Sequence, residues 1–169
     1  MKLRKPLYTG GCQCGSVRYA IYGEPADSSL CYCRMCQKAV GGPFAAFVTA
    51  RTEDFVWTRG DPATFQSSNI AMRDFCPTCG TPLTFREHGD ETIGLTMGSL
   101  DQWNQFGPNH QTGIESRPDW LPLIPGMPAE TTESASETAM AGRIESYQHP
   151  DHDTPEGWTP AALRGSRVL

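Results

Sequence analysis

All seven cysteines fall into three tight groups: Cys12-Gln13-Cys14, Cys31-Tyr32-Cys33-Arg34-Met35-Cys36 and Cys76-Pro77-Thr78-Cys79. Sulfurs two or three residues apart can be aimed at a common point roughly 4 Å across, the edge of a tetrahedron drawn with a ~2.3 Å metal–sulfur bond. A helix or a straight strand does this poorly, so each group calls for a tight turn. No cysteine is left over, and the chemistry to which the spacing points is ligation of a thiophilic metal, zinc first.

A disulfide framework is the rival reading and fails on parity, because seven is odd. The start, Met1-Lys-Leu-Arg-Lys-Pro-Leu-Tyr-Thr-Gly-Gly, has basic residues but no apolar core run of an export signal. The expected compartment is therefore the cytoplasm, where thiols stay reduced. A redox pair at Cys76 and Cys79 would need a strand-helix-strand setting that Phe75 and Gly80-Thr81-Pro82 do not suggest.

A closed structural zinc site takes four protein ligands, and an open one takes three and leaves a position free. The seven sulfurs divide in that way. Cys12, Cys14, Cys76 and Cys79, drawn from two distant groups, suit a closed site fastening the N-terminal strand to a later hairpin. Cys31, Cys33 and Cys36 can cap one face of a second ion, giving two zinc ions per chain. Other divisions stay open, such as a single four-cysteine site with three idle thiols. A histidine could also close the second site: His149 and His152 lie in the tail and His88 in a turn, which leaves His110. Gly15 and Gly80 directly follow the outer groups, where a positive φ would let backbone N–H groups point at sulfur. Three thiolates on Zn²⁺ carry net negative charge, so an open site of this kind suits an incoming thiol better than water activation. Arg34 and Lys38 stand near enough in sequence to offset that charge, although Lys38 reads equally well as an exposed helix position.

Short alternating apolar runs dominate the first hundred residues and must supply the frame. Val17, Tyr19 and Ile21, then 44–48, 55–57, 83–85 and 93–97, predict five or more short strands. Gly23-Glu24-Pro25, Arg59-Gly60-Asp61-Pro62 and His88-Gly89-Asp90 mark turns between them. Helix is predicted only over Arg34 to Val40 and over a turn from Ser99 to Trp103, with Ser99 as cap and Asp101 near its start. The fold class is mainly β, with short helical turns. Beyond Pro125 large apolar side chains become scarce. The expected organisation is a metal-binding domain over 1–125 and a polar extension over 126–169, draped or disordered, in which 129–142 could form one helix.

The chain has 169 residues, a length suited to one domain, and a formal net charge of −5. Its basic residues are scattered apart from 1–5, and binding by thiolates would make the balance more negative still, which argues against nucleic acid. No run approaches the ~18 apolar residues of a membrane span. A homodimer remains open.

The stretches Gly11-Cys12-Gln13-Cys14-Gly15-Ser16-Val17-Arg18-Tyr19, Cys31-x-Cys33-x-x-Cys36 with Gly41-Gly42, Phe75-Cys76-Pro77-Thr78-Cys79-Gly80 with Leu83, Gly98-Ser99-Leu100-Asp101 and Pro118-Asp119-Trp120 resemble the glutathione-dependent formaldehyde-activating enzyme family, also called the GFA or CENP-V domain. The resemblance covers about Leu7 to Leu121. It implies an Mss4-like, zinc-stapled β fold, a structural zinc at Cys12, Cys14, Cys76 and Cys79, and a second zinc, associated with activity, at Cys31, Cys33 and Cys36. Tyr32 departs from the histidine common at that place in the family. Ligation survives the change, while the polar surroundings of the open position are altered.

Two function classes follow. One is an enzyme of carbon–sulfur lyase type, in which zinc at Cys31, Cys33 and Cys36 positions a small thiol such as glutathione for addition to an aldehyde such as formaldehyde, and for the reverse cleavage. Asp101 and His110 are the candidates for its general base. The other is a zinc-stabilised binding module without turnover. The fourth position at the middle cysteines discriminates the two.

Overall fold

The computed structural model describes residues 5–132 and 146–159. Among these residues ten strands form two sheets, in keeping with the apolar alternation of a mainly β chain. Strands β1 (Tyr8–Gly11), β2 (Arg18–Ile21) and β5 (Phe55–Arg59) make a three-stranded antiparallel sheet with β2 in the middle. The other sheet is built from β3 (Asp27–Cys31), β4 (Ala45–Arg51), β6 (Ala63–Gln66), β7 (Ala71–Phe75), β8 (Pro82–Glu87), β9 (Thr92–Thr96) and β10 (His110–Thr112), in the order β10-β3-β4-β9-β8-β7-β6. Its neighbours are antiparallel except β10, which runs parallel to β3. The three expected turn segments lie between β2 and β3, between β5 and β6, and between β8 and β9.

The core fills the space between the sheets. Tyr19 and Ile21 from the small sheet meet Val48, Ala50, Leu83, Ile93 and Leu95 from the large one, with Leu100 closing the side. Burial of such side chains is the main stabilising term, at ~1.5–3 kcal/mol each. Two of the metal-type cysteines, Cys12 and Cys76, belong to this same buried cluster.

Helix α1 is Arg34–Val40, as predicted, and Cys33 caps it: its sulfur accepts the N–H of Cys36 at 3.4 Å. The second predicted helix is corrected. A 3-10 turn occupies Met97–Ser99 and another Trp103–Gln105, and Ser99 ends the first one. Its hydroxyl donates to the Thr96 carbonyl at 2.8 Å and pairs with the buried Tyr19 hydroxyl at 2.7 Å, so the side chain is consumed by the core and does not cap a helix. Residues 129–132 are not helical, and the remainder of the suggested 129–142 helix lies outside the described residues.

Arg18, at a position where strict strand alternation would meet solvent, is 2% exposed. Its guanidinium grips Asp101 bidentately at 2.9 and 2.5 Å and Asp153 at 2.7 and 3.2 Å. Asp153 belongs to the segment 146–159, which returns across this side of the small sheet. There the N–H of His149 donates to the Gln13 carbonyl at 2.7 Å, and Arg59 bonds the Thr154 hydroxyl at 3.2 Å. The buried His149 ring lies over Gly15, where any side chain would collide with it, and meets the Trp158 ring edge-on at 4.8 Å.

The two partners of Arg18 differ in burial, with side chains 4% exposed at Asp101 and 54% at Asp153. Removing one partner of a buried pair costs about 3–5 kcal/mol, against ~0–1 kcal/mol for an exposed one. Asp101→Ala is therefore expected to lower the thermal midpoint severely and Asp153→Ala only slightly. Differential scanning calorimetry of the two variants checks this.

Candidate metal centres

The first group assembles from two hairpin turns. Cys12 and Cys14 sit in the turn between β1 and β2, and Cys76 and Cys79 in the turn between β7 and β8, so the four sulfurs join one sheet to the other. Both turns are closed by a glycine with positive φ: Gly15 at 77° donates to the Cys12 carbonyl at 3.0 Å, and Gly80 at 76° to the Cys76 carbonyl at 2.9 Å. With the turns closed in this way, backbone N–H groups point at sulfur as expected: Val17 donates to Cys12 Sγ at 3.2 Å, and backbone N–H groups likewise reach Cys76 and Cys79.

All four sulfurs lie within 4.8 Å of one another, with Cys12–Cys14 at 3.5 Å and Cys14–Cys76 at 3.8 Å. A tetrahedron of ~2.3 Å metal–sulfur bonds has edges of about 3.8 Å, so the donor set fits a closed thiolate site. All seven cysteines are free of disulfides.

Their acidities point the same way. Burial pushes the Cys12 and Cys76 thiols up, partly offset by backbone N–H groups. Burial also opposes ionisation at Cys79, yet hydrogen bonds from the Thr81 hydroxyl and from backbone N–H groups of Thr81 and Cys14 outweigh it and bring that thiol down to about 6. Cys79 thus ionises readily while Cys12 and Cys76 resist, and a cation at their centre would relieve that conflict.

The second group, Cys31, Cys33 and Cys36, comes from the end of β3 and the start of α1, and its three sulfurs also lie within 4.8 Å of one another. Burial pushes Cys36 up to about 12 even though Arg73 donates to its sulfur. At Cys31 burial again opposes ionisation, but hydrogen bonds from the Thr112 hydroxyl and the Cys33 N–H prevail and the thiol is lowered. Among the described residues no fourth protein ligand joins this group. His110, the candidate by elimination, stands exposed on β10 with Asp27 and Asn109 as its partners, at 3.3 and 2.9 Å.

In place of a fourth ligand there is a cavity of about 380 Å³, with all three cysteines in its wall. Phe47, Phe85 and Arg73 line it beside them, together with the exposed Glu87 and Asp90, and Gly94 contributes only backbone. Tyr32 is not part of the lining. It is buried against Phe44, with ring centroids 5.7 Å apart, so the tyrosine turns away from the sulfurs and into the protein.

Three sequence candidates move away from this site. Asp101 is tied to Arg18 and lines a different cavity, beneath the returning segment, together with Cys12 and Cys79. Arg34 is exposed and bonded to Gln37, and Lys38 is exposed on the same helix. The cation that does reach the sulfurs is Arg73, with Nη2 at 3.3 Å from Cys36 Sγ. It lies far along the chain from the middle cysteines and arrives through the pairing of β7 with β8, which local spacing does not reveal.

The family model described as "Glutathione-dependent formaldehyde-activating enzyme" matches residues 7–116. The chain belongs to this family. A Schizosaccharomyces pombe protein named as an uncharacterized lyase is 32% identical over 80 residues, which are 47% of this chain and 58% of that protein's length. A crystal structure of a Rhodobacter sphaeroides protein superposes with a TM-score of 0.51 at 27% identity, over 62% of this chain and 99% of that one. The match to the family model ends before the returning segment 146–159.

If the four-sulfur group fastens the two sheets, losing one of its ligands forfeits much of a metal-binding free energy that reaches ~10 kcal/mol or more in small zinc modules. Cys79→Ser is expected to lose both metal and solubility. Cys33→Ser is expected to fold with one equivalent of firmly held metal, against two in the parent chain. Elemental analysis beside thermal melts measures this, and equal damage in the two variants would show that the groups do not differ in role.

Proposed function

We propose that this chain is a zinc enzyme of carbon–sulfur lyase type that makes and breaks adducts of a small, glutathione-like thiol with a small, formaldehyde-like aldehyde. The observation that carries the proposal is the contrast between the two sulfur groups. Four sulfurs converge on a common centre and complete a tetrahedral donor set, whereas only three converge at the second group, in the wall of a cavity large enough for a small organic molecule. Membership of the family and the lyase name of the yeast relative support the same class.

In this reading Cys12, Cys14, Cys76 and Cys79 hold a structural zinc and Cys31, Cys33 and Cys36 hold a second one. Zinc held by three thiolates supplies a soft Lewis-acid position that stabilises an incoming thiol in its thiolate form. The side chains around it act on the substrate's surroundings. Phe47 and Phe85 exclude water from the bound sulfur and aldehyde, and Arg73 balances the negative charge gathered by the cysteines. Gly94 adds no side chain to the lining, where a Cβ would lie 3.5 Å from the Phe47 ring. In the forward direction the substrate sulfur forms a bond to the carbonyl carbon, the C=O π pair moves to oxygen, and the proton lost from the thiol ends on that oxygen. Cleavage reverses each change. Holding the two reactants together and the thiol deprotonated are the two sources of rate. Seven free thiols suit a reducing compartment such as the cytoplasm.

Exchange NMR on glutathione mixed with ¹³C-formaldehyde measures formation and cleavage of the S-hydroxymethyl adduct directly. The zinc-loaded protein is expected to raise the exchange rate at least about a hundredfold over buffer, and Cys33→Ser to abolish the increase, in line with the size of a lost positioning and activation term. No acceleration by protein with both sites loaded would favour a binding module instead.

A further inference from the structure

Arg73 has more donors than the protein satisfies. Its Nη2 donates to Cys36 Sγ at 3.3 Å, its guanidinium carbon lies 4.8 Å from the centre of the Phe85 ring, and its Nε is buried without a hydrogen-bond partner. Among the described residues, Arg18 is held by Asp101 and Asp153 and Arg86 by Asp74, but Arg73 has no carboxylate partner. Buried N–H groups without an acceptor are rare. Had the cysteines required only positive charge, a group with a single contact would have sufficed. A guanidinium is instead a planar fork that recognises carboxylate and carbonyl oxygens. This one lines the cavity into which the three sulfurs open, with the Phe85 face fixing its plane.

We infer that Arg73 determines specificity by donating hydrogen bonds to a carboxylate or amide oxygen of the thiol that enters the cavity beside Cys31, Cys33 and Cys36. The substrate class is then a thiol with an acceptor oxygen a few bonds from its sulfur, as in cysteinyl compounds, and not a plain alkyl thiol. Glu87 and Asp90, both exposed, line the same cavity, and among the described residues Arg73 is the one cation in its wall that could meet an acceptor oxygen of the ligand. This assignment rests on the thiol-binding reading above.

The test uses full-length protein with cobalt in place of zinc, whose sulfur-to-metal charge-transfer bands report entry of a further thiolate. Two thiols of equal chain length are titrated: 3-mercaptopropionate, which carries a carboxylate, and propane-1-thiol, which does not. Wild-type protein is expected to bind 3-mercaptopropionate at least about tenfold more tightly, a typical worth for a charge-assisted bond. Arg73→Gln is expected to erase the preference while keeping cobalt at both sites, and Arg73→Lys to retain only part of it. Equal affinity of the wild type for both thiols overturns the assignment, and that comparison needs no variant to fold. An undiminished preference in Arg73→Gln, or loss of cobalt from the three cysteines in both variants, overturns it as well and leaves thiol binding intact. A wild-type spectrum unmoved by either thiol overturns the thiol-binding reading itself and the assignment with it.

Discussion

Four sulfurs brought from two hairpin turns to within 4.8 Å are the constraint on which this architecture depends. The β1–β2 turn belongs to the small sheet and the β7–β8 turn to the large one, so a metal ion held by these four sulfurs would tie the two layers at the edge of the core that they share. Cys12 and Cys76 are core residues as well as candidate ligands. Their burial makes the thiolate form costly without a cation, and this is what would make metal binding and folding one event. The strands themselves are only three to seven residues long, so a cross-link between the layers adds to what strand pairing supplies.

The middle cysteines use the same element in the opposite way. They are held by one strand end and the first turn of one helix, so the sulfurs need no distant partner to converge. Beside them lies a cavity lined by Phe47, Phe85, Arg73 and the backbone of Gly94. The large sheet thus has two uses. One face contributes Val48, Ile93 and Leu95 to the core, and the side chains of opposite parity on the same strands, Phe47 and Thr49 on β4 and Thr92 with Gly94 on β9, line the cavity.

The metal-type groupings, the short-strand character and α1 were legible because each is encoded locally: ligand spacing within a turn, apolar alternation, and the run from Arg34 to Val40. The strands that escaped notice have physical reasons. β3 reads Asp-Ser-Ser-Leu-Cys and β7 Ala-Met-Arg-Asp-Phe, because their polar positions face partners inside the protein: Ser28 donates to the Gly107 carbonyl, and Asp74 accepts from Thr64, Thr84 and Arg86. β10 is three exposed residues at a sheet edge, recognisable only from its pairing with β3. Asp101 attracted a catalytic role and proved to be the partner of Arg18, whereas Arg73 attracted none and stands at the sulfurs. In both cases the deciding contact joins residues distant in the chain. The weak apolar content after Pro125 likewise concealed how His149, Asp153 and Thr154 meet the small sheet through polar bonds.

The central claim is that one group of sulfurs is coordinatively complete and the other is not. X-ray absorption at the zinc edge of protein carrying two ions measures the mean number of sulfurs per zinc. Seven cysteines shared between a closed and an open site predict a mean of three and a half, with one lighter donor making up the difference at half the ions. On saturation with a small thiol the mean should rise to four as that donor is replaced. A mean of four before any thiol is added, or a mean that does not move afterwards, would contradict the account.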